Sequence, residues 1–202
     1  PDNKEKNLPS TPAQVLLIDP STGIVLSILD GTYITALRTG AASGAAFSVL
    51  AKSECKMGAL IGTGTQAAMQ LEAMITSKKP KIVKVYSRNK ERLNIFVENM
   101  KTKFKSKDVE ITASDSADAA VEDADILITA TNSDKPLFSA RSCKPGLTIS
   151  AVGSFTKQMQ ELDSTVLKKA SKIYYDDKEA MLEEAGEIIK ALENNDIDEK
   201  KL

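Results

Sequence analysis

Gly62-Thr63-Gly64-Thr65-Gln66-Ala67 constrains this chain more than any other stretch. It lies between the apolar run at 57–61 and a helical pattern from Ala68 to Ile75. A strand, a glycine turn and a helix start, in that order, suit the binding of a dinucleotide pyrophosphate. Gly62 then permits the tight turn, Gly64 lets the backbone approach the phosphates, and Ala67 takes the third small position, where helix meets strand. The anion sits on free amides at the positive end of the helix. Glycines in such a turn can also do no more than turn the chain, so the surrounding pattern has to decide.

That pattern alternates. Strand candidates fall at 56–61, 81–86, 109–112, 125–130, 147–152 and 172–175, and helix candidates at 65–77, 89–102, 115–122, 163–170 and 177–193. Strand–helix alternation predicts an α/β fold, a doubly wound and mainly parallel sheet with right-handed crossovers. Before it, apolar runs at 14–18 and 24–29 flank Asp19-Pro20-Ser21-Thr22-Gly23, which predicts a β-hairpin. Its first strand is apolar throughout, as if covered on both sides. A stretch from Asp30 or Gly31 to Lys52, rich in Ala, Gly and Ser, reads as a helix with close neighbours. Residues 1–12, with three prolines, read as a loose lead-in, and the charged tail from Glu193 as frayed.

Composition narrows the function classes. A net charge of −1 and the lack of a basic, aromatic-interleaved stripe argue against nucleic acid as a partner. No apolar run approaches the roughly 20 residues that span a bilayer, so no membrane partner is expected. Cys55 and Cys143 lack metal-ligand spacing and read as reduced thiols of a cytoplasmic protein. Histidine is absent. Ser-His and Cys-His catalysis are therefore excluded from these residues, and no metal site is expected. The chain opens on Pro1 rather than Met and ends abruptly at Leu202, as a piece of a longer protein would.

The second strand of the alternation ends in Tyr86-Ser87-Arg88-Asn89. An acid usually stands near here, about 20 residues past the glycines, to bond the ribose hydroxyls of NAD. A hydroxyl beside an arginine suits a 2′-phosphate instead, so NADP(H) is favoured and NAD(H) remains open. An ordinary basic helix start is the plain alternative. Thr129-Ala130-Thr131 and Val152-Gly153-Ser154 end later strands, where open α/β sheets bind ligands, and fit loops lying against nicotinamide and its ribose. Arg38 stands alone among small residues. It is either a solvated arginine or a bidentate grip on a substrate carboxylate.

Together these segments resemble the ornithine cyclodeaminase/μ-crystallin family. The likeness rests on Leu37-Arg38-Thr39-Gly40-Ala41-Ala42-Ser43, the fingerprint at 62–67, Tyr86-Ser87-Arg88, Thr129-Ala130-Thr131, and Ala151-Val152-Gly153 followed by Glu161-Leu162-Asp163. It implies a Rossmann domain over 53–178, with 1–52 (hairpin plus linking helix) remaining from a dimerisation and substrate domain and 179–202 forming a C-terminal helix and return segment. It implies a homodimer at full length, with a further arginine and a lysine supplied by an absent N-terminal part. It also assigns Arg38 to the substrate carboxylate and places Thr39 with the cofactor-binding residues.

One departure separates the activities within the family. Cyclodeaminases carry an aspartate two residues after the glycine matching Gly153, where this chain has Phe155. Phenylalanine cannot bind an amine or move a proton. The expected activity is therefore reduction of a cyclic imino acid by NAD(P)H, or a related amino-acid dehydrogenation. A cyclodeaminase is the alternative and would need another carboxylate, Glu161 being nearest. A non-catalytic nucleotide or small-ligand binding protein is the rival from another class.

Overall fold

Asp19 turns the chain back on itself. Its Oδ1 accepts from Ser21 N at 2.8 Å and Ser21 Oγ at 2.7 Å, and Gly23 takes a φ of +74°. Strands β1 (Gln14–Ile18) and β2 (Val25–Asp30) then pair antiparallel, as predicted. The computed structural model describes residues 3–6, 8 and 11–202, so Pro1, Asp2, Asn7, Pro9 and Ser10 of the predicted lead-in lie outside the described residues.

Asp30 ends β2 and caps the next helix, accepting from Thr32 N and Tyr33 N. That helix, α1 (Gly31–Leu50), packs along α2 (Ala67–Lys78) through its small face. A Cβ on Gly40 would stand 2.7 Å from Met69 O, so only glycine lets the two backbones come this close. The neighbouring pair, Gly44 beside Ala73, shows that the helices run in the same sense.

Strands β3 (Met57–Ile61), β4 (Ile82–Tyr86), β5 (Glu110–Ala113), β6 (Ile126–Thr129) and β7 (Thr148–Ala151) form one parallel sheet in the order β5-β4-β3-β6-β7. The chain runs outward from β3 to β5, then returns to the other side of β3. The crevice between β3 and β6 is thus a topological switch point. Alternate side chains feed two cores. Leu60, Val83, Val85, Ile126 and Ile128 pack under α2 and α3 (Lys90–Lys103), while Ala59, Ile61 and Leu127 pack under α4 (Ala117–Val121), α5 (Ser164–Lys169), α6 (Lys178–Glu184) and α7 (Gly186–Glu193).

The structure corrects four expectations. The tail from Glu193, expected to be frayed, is packed down: Ile197 is buried in the second core, Leu202 lies against it, and Asp196 pairs with Lys168. Residues 172–175 form no strand, and the sheet stops at β7. Ile173 and the two tyrosines have strand propensity, but a strand also needs a ladder partner. The helix expected over 177–193 is two helices, broken at Ala185 (φ −79°, ψ 88°), because α7 starts hard against the preceding turn. A Cβ on Gly186 would collide with the Met159 carbonyl oxygen. The hairpin's first strand, expected to be covered on both sides, is open instead: Val15 to Ile18 are all exposed, as is Ile28 on the second strand. No helix among the described residues is long and apolar enough to cross a membrane.

Candidate dinucleotide and substrate site

Strand register places the predicted residues along one edge. Tyr86, Ile61, Thr129 and Ala151 form a single row across β4, β3, β6 and β7. The next residues in each strand direction, Ser87, Gly62, Ala130 and Val152, therefore line the carboxyl edge. Backbone bonds continue the stitching past the strands, from Gly62 N to Tyr86 O, Ala130 N to Ile61 O and Val152 N to Thr129 O, at 2.8–2.9 Å.

The two glycines of the fingerprint differ in what they meet. Gly62 has a φ of +111°, and a Cβ there would collide with the Ala130 carbonyl oxygen. The fold itself demands this glycine. Gly64 would direct a Cβ into open space, with no protein atom within 4 Å. Its small size serves no packing in this chain, and it leaves a cradle in front of α2. Gln66 at the N-cap of α2 makes no side-chain cap bond, so the first-turn amides are not taken by that residue. Ala67 is fully buried in the core beneath the helix start. Thr63 is half-buried and Thr65 exposed. Such an arrangement of amides fits a dinucleotide pyrophosphate.

At the end of β4, Ser87 is half-buried and Arg88 exposed. Asn89 caps α3, its Oδ1 accepting from Arg92 N at 2.9 Å. Its carbonyl is thus already used, which leaves its amide N–H groups for a ligand. Arg38 is exposed on α1, and neither it nor Arg88 joins an ion pair among the described residues. The shared sense of α1 and α2 carries Arg38 and Thr39 toward the glycine-turn edge. Ser43 Oγ, 2.9 Å from Ser150 Oγ, ties the same helix to β7. The Thr39 hydroxyl is spent on Thr35 O within the helix.

Glu161 is the feature that sequence reasoning misplaced. Its side chain is fully buried. Oε1 accepts from Thr131 N and Thr131 Oγ1, both at 2.7 Å, and Oε2 accepts from Thr129 Oγ1 and Gly153 N, both at 2.8 Å. Burial raises its pKa above the ordinary value, and the four donors oppose that rise. It is locked between the loops and does not serve as the free carboxylate that a cyclodeaminase would need. The Thr129 hydroxyl, predicted as a cofactor contact, faces Glu161 in a fully buried position and is closed to a ligand. Glu187 carries no sequence signal that sets it apart. It is buried at the start of α7, and burial raises its pKa above the ordinary value. Phe155 is 63% exposed beside Ser154.

Known proteins share this fold. Residues 1–200 match the sequence pattern of the ornithine cyclodeaminase/mu-crystallin family. A Delta(1)-pyrroline-2-carboxylate reductase of Bacillus cereus is 39% identical over 188 residues, which cover 93% of this chain and 57% of that protein. The solved structure of Thermococcus litoralis Delta(1)-pyrroline-2-carboxylate reductase, in complex with NADH and L-proline, superposes with a TM-score of 0.91 at 39% identity. That match covers 100% of this chain and 61% of the other. An archaeal alanine dehydrogenase dimer with bound NAD superposes at 0.87 with 36% identity, over 100% and 61% of the two chains. The chain thus spans about three-fifths of the length of these relatives.

Proposed function

The chain belongs to the ornithine cyclodeaminase/mu-crystallin family, and from that premise we propose that the protein carrying it is an NAD(P)H-dependent reductase of a cyclic imino acid, of the pyrroline- or piperideine-2-carboxylate type. The observation that carries this choice over cyclodeamination is Phe155, exposed where cyclodeaminases have their aspartate, while both oxygens of Glu161 are already engaged.

Bound NAD(P)H would supply a hydride from C4 of its nicotinamide to the imine carbon. The chain's own residues bind and orient. The turn from Gly62 through Thr63, Gly64, Thr65 and Gln66 to the start of α2 at Ala67 would hold the pyrophosphate. Thr63, Gly64, Thr65 and Gln66 would offer the amides, since Gly62 N already donates to Tyr86 O and Ala67 N to Gly64 O. Ser87, Arg88 and Asn89 would surround the adenosine ribose. Ala130, Thr131, Val152, Gly153 and Ser154 would floor the nicotinamide end, with Thr129 behind them. Arg38 would clamp the substrate carboxylate with two parallel hydrogen bonds, with Thr39 beside it, so that positioning supplies much of the rate. Residues 53–178 would be the dinucleotide domain. The open hairpin within 1–52 would be completed by the rest of a cytoplasmic homodimer, which would remove its apolar faces from water, and 179–202 would lead back toward that domain.

In the full-length protein, NADPH or NADH should be oxidised when a cyclic imino acid is added, and ornithine should release no ammonia. Both are read by cofactor absorbance and an ammonia assay. Proline and ammonia formed from ornithine would promote the cyclodeaminase. Arg88→Ala should weaken NADPH far more than NADH, by tenfold or more, since a hydrogen bond to a charged group is worth about 1.5–3 kcal/mol. Equal weakening in paired fluorescence titrations would remove Arg88 from the 2′-phosphate.

A further inference from the structure

We infer that Glu161 is a positioning residue for hydride transfer: its carboxylate pins the loop after β6 to the loop after β7 and so fixes the seat of the nicotinamide ring. This inference rests on the reductase reading. The two loops are linked through one side chain, with each carboxylate oxygen holding two donors. Oε1 serves Thr131 alone, whereas Oε2 bridges Thr129 to Gly153. The loops also touch directly. A Cβ on Gly153 would collide with Thr131 O and stand 2.5 Å from Glu161 Oε1. Glycine at 153 therefore permits the contact, and the carboxylate sets its spacing.

The clamp is itself held from behind. Gln160 N donates to Ser133 O at 2.8 Å and Leu137 N to Glu161 O at 3.0 Å. The backbone of Glu161 is thus moored to the 133–137 loop, and its side chain cannot drift with the segments it joins. An ionised carboxylate accepts only and offers about four lone-pair sites, which matches four donors. A group that merely filled the core would need no such set. A shift of about 1 Å in a reacting group can cost on the order of a hundredfold in rate, so a spacer between two nicotinamide loops acts on the chemical step even though it touches neither substrate nor cofactor.

Glu161→Gln keeps shape and volume but replaces one oxygen with NH₂. Threonine hydroxyls can rotate to accept from it, but a backbone N–H cannot. Whichever way the amide sits, either Thr131 N–H or Gly153 N–H loses its partner. In full-length protein we expect the variant to fold and to bind NADPH about as well as wild type, since adenosine and pyrophosphate contacts lie elsewhere. Its kcat should fall by about tenfold or more, with a larger primary isotope effect from 4-deuterated NADPH. In the cofactor-free protein, the Thr131 or Gly153 amide should exchange its hydrogen roughly five- to tenfold faster, as loss of about 1 kcal/mol of hydrogen bonding implies. The amides of β6 should stay unchanged.

A folded variant with wild-type kcat and wild-type exchange would overturn the inference. So would a rate loss matched by an equal loss of NADPH affinity. If Glu161→Gln does not fold, Thr131→Val decides: it removes one donor to Oε1, together with the acceptor of Ser133 N, and leaves the Thr131 amide bond to Oε1 to be read by exchange. A smaller loss of kcat and faster exchange at the Thr131 amide are expected there, and wild-type values overturn the clamp. If the wild-type enzyme reduces no cyclic imino acid, the reductase reading falls, and the exchange measurement alone confirms or overturns the clamp.

Discussion

Asp125→Ala is expected to lower stability by about 2–4 kcal/mol while leaving cofactor binding unchanged. Asp125 is buried at the amino edge of the sheet, opposite the candidate site. Its Oδ2 accepts from Lys56 N at 2.6 Å and Met57 N at 3.0 Å. Its Oδ1 meets Lys52 Nζ at 2.7 Å and Lys144 Nζ at 2.6 Å. The lysine heads reach solvent, so the ion pairs are screened and contribute the smaller share. The larger loss comes from two backbone amides left without an acceptor at the start of β3. For a chain of this size a change of 1 kcal/mol shifts Tm by about 2–4 °C, so a melt resolves the effect.

The same residue gives the protein an acid limb. Burial alone would raise the Asp125 pKa, but Lys144, Lys52 and the two amides hold it well below the usual carboxylate range. An unfolded aspartate titrates near 3.9. The stabilisation is therefore complete above about pH 4 and is lost as pH falls from there toward the folded value. Glu161 and Glu187 act in the opposite sense, since their raised values favour the folded state at low pH and that contribution fades as pH rises through them. Comparing wild type with Asp125→Asn separates the two. The variant should lose most of its stability deficit at low pH, where the wild-type carboxylate is itself becoming protonated. Parallel curves from pH 7 to 3 would show that Asp125 does not titrate with folding.

Much of the architecture was legible because it obeys local rules. Apolar runs of strand length, each followed by a helical period, gave β3 to β7 within a residue or two, and the glycine turn fell where the first of them ends. What escaped depends on partners far away in sequence. Residues 172–175 carry the local signal of a strand, but no neighbour supplies a ladder. Ala185-Gly186 reads smoothly as helix, and only the approach of the Met159 carbonyl explains the break. Glu161 stands out only as part of the Glu161-Leu162-Asp163 stretch and as a carboxylate near Phe155, neither of which shows what it holds. Nothing short of the fold brings it to Thr131, 30 residues away, and to Gly153. Asp125 has only a faint signal, a lone acid directly before the fully apolar Ile126-Leu127-Ile128.

The fingerprint glycines yield the sharpest contrast, because one serves the fold and the other does not. Gly62→Ala adds a methyl where φ is +111° and the Ala130 carbonyl oxygen already fills the space. An L-residue there costs about 1–3 kcal/mol in backbone strain, and a forced contact in a packed site costs about 1–3 more. A total of about 2–5 kcal/mol follows, appearing as a lowered Tm before any ligand is added. Gly64→Ala adds the same methyl where no protein atom stands within 4 Å and no positive φ is required. Its melting curve should be indistinguishable from wild type. Affinity for NADPH and NADH should nevertheless fall together by tenfold or more, about 1.4 kcal/mol or more, because the methyl occupies the space through which the backbone meets the pyrophosphate. A fluorescence titration beside a thermal melt reads both quantities on each variant. Normal cofactor affinity in Gly64→Ala would place the dinucleotide away from this turn, and with it the whole row from Ser87 to Val152.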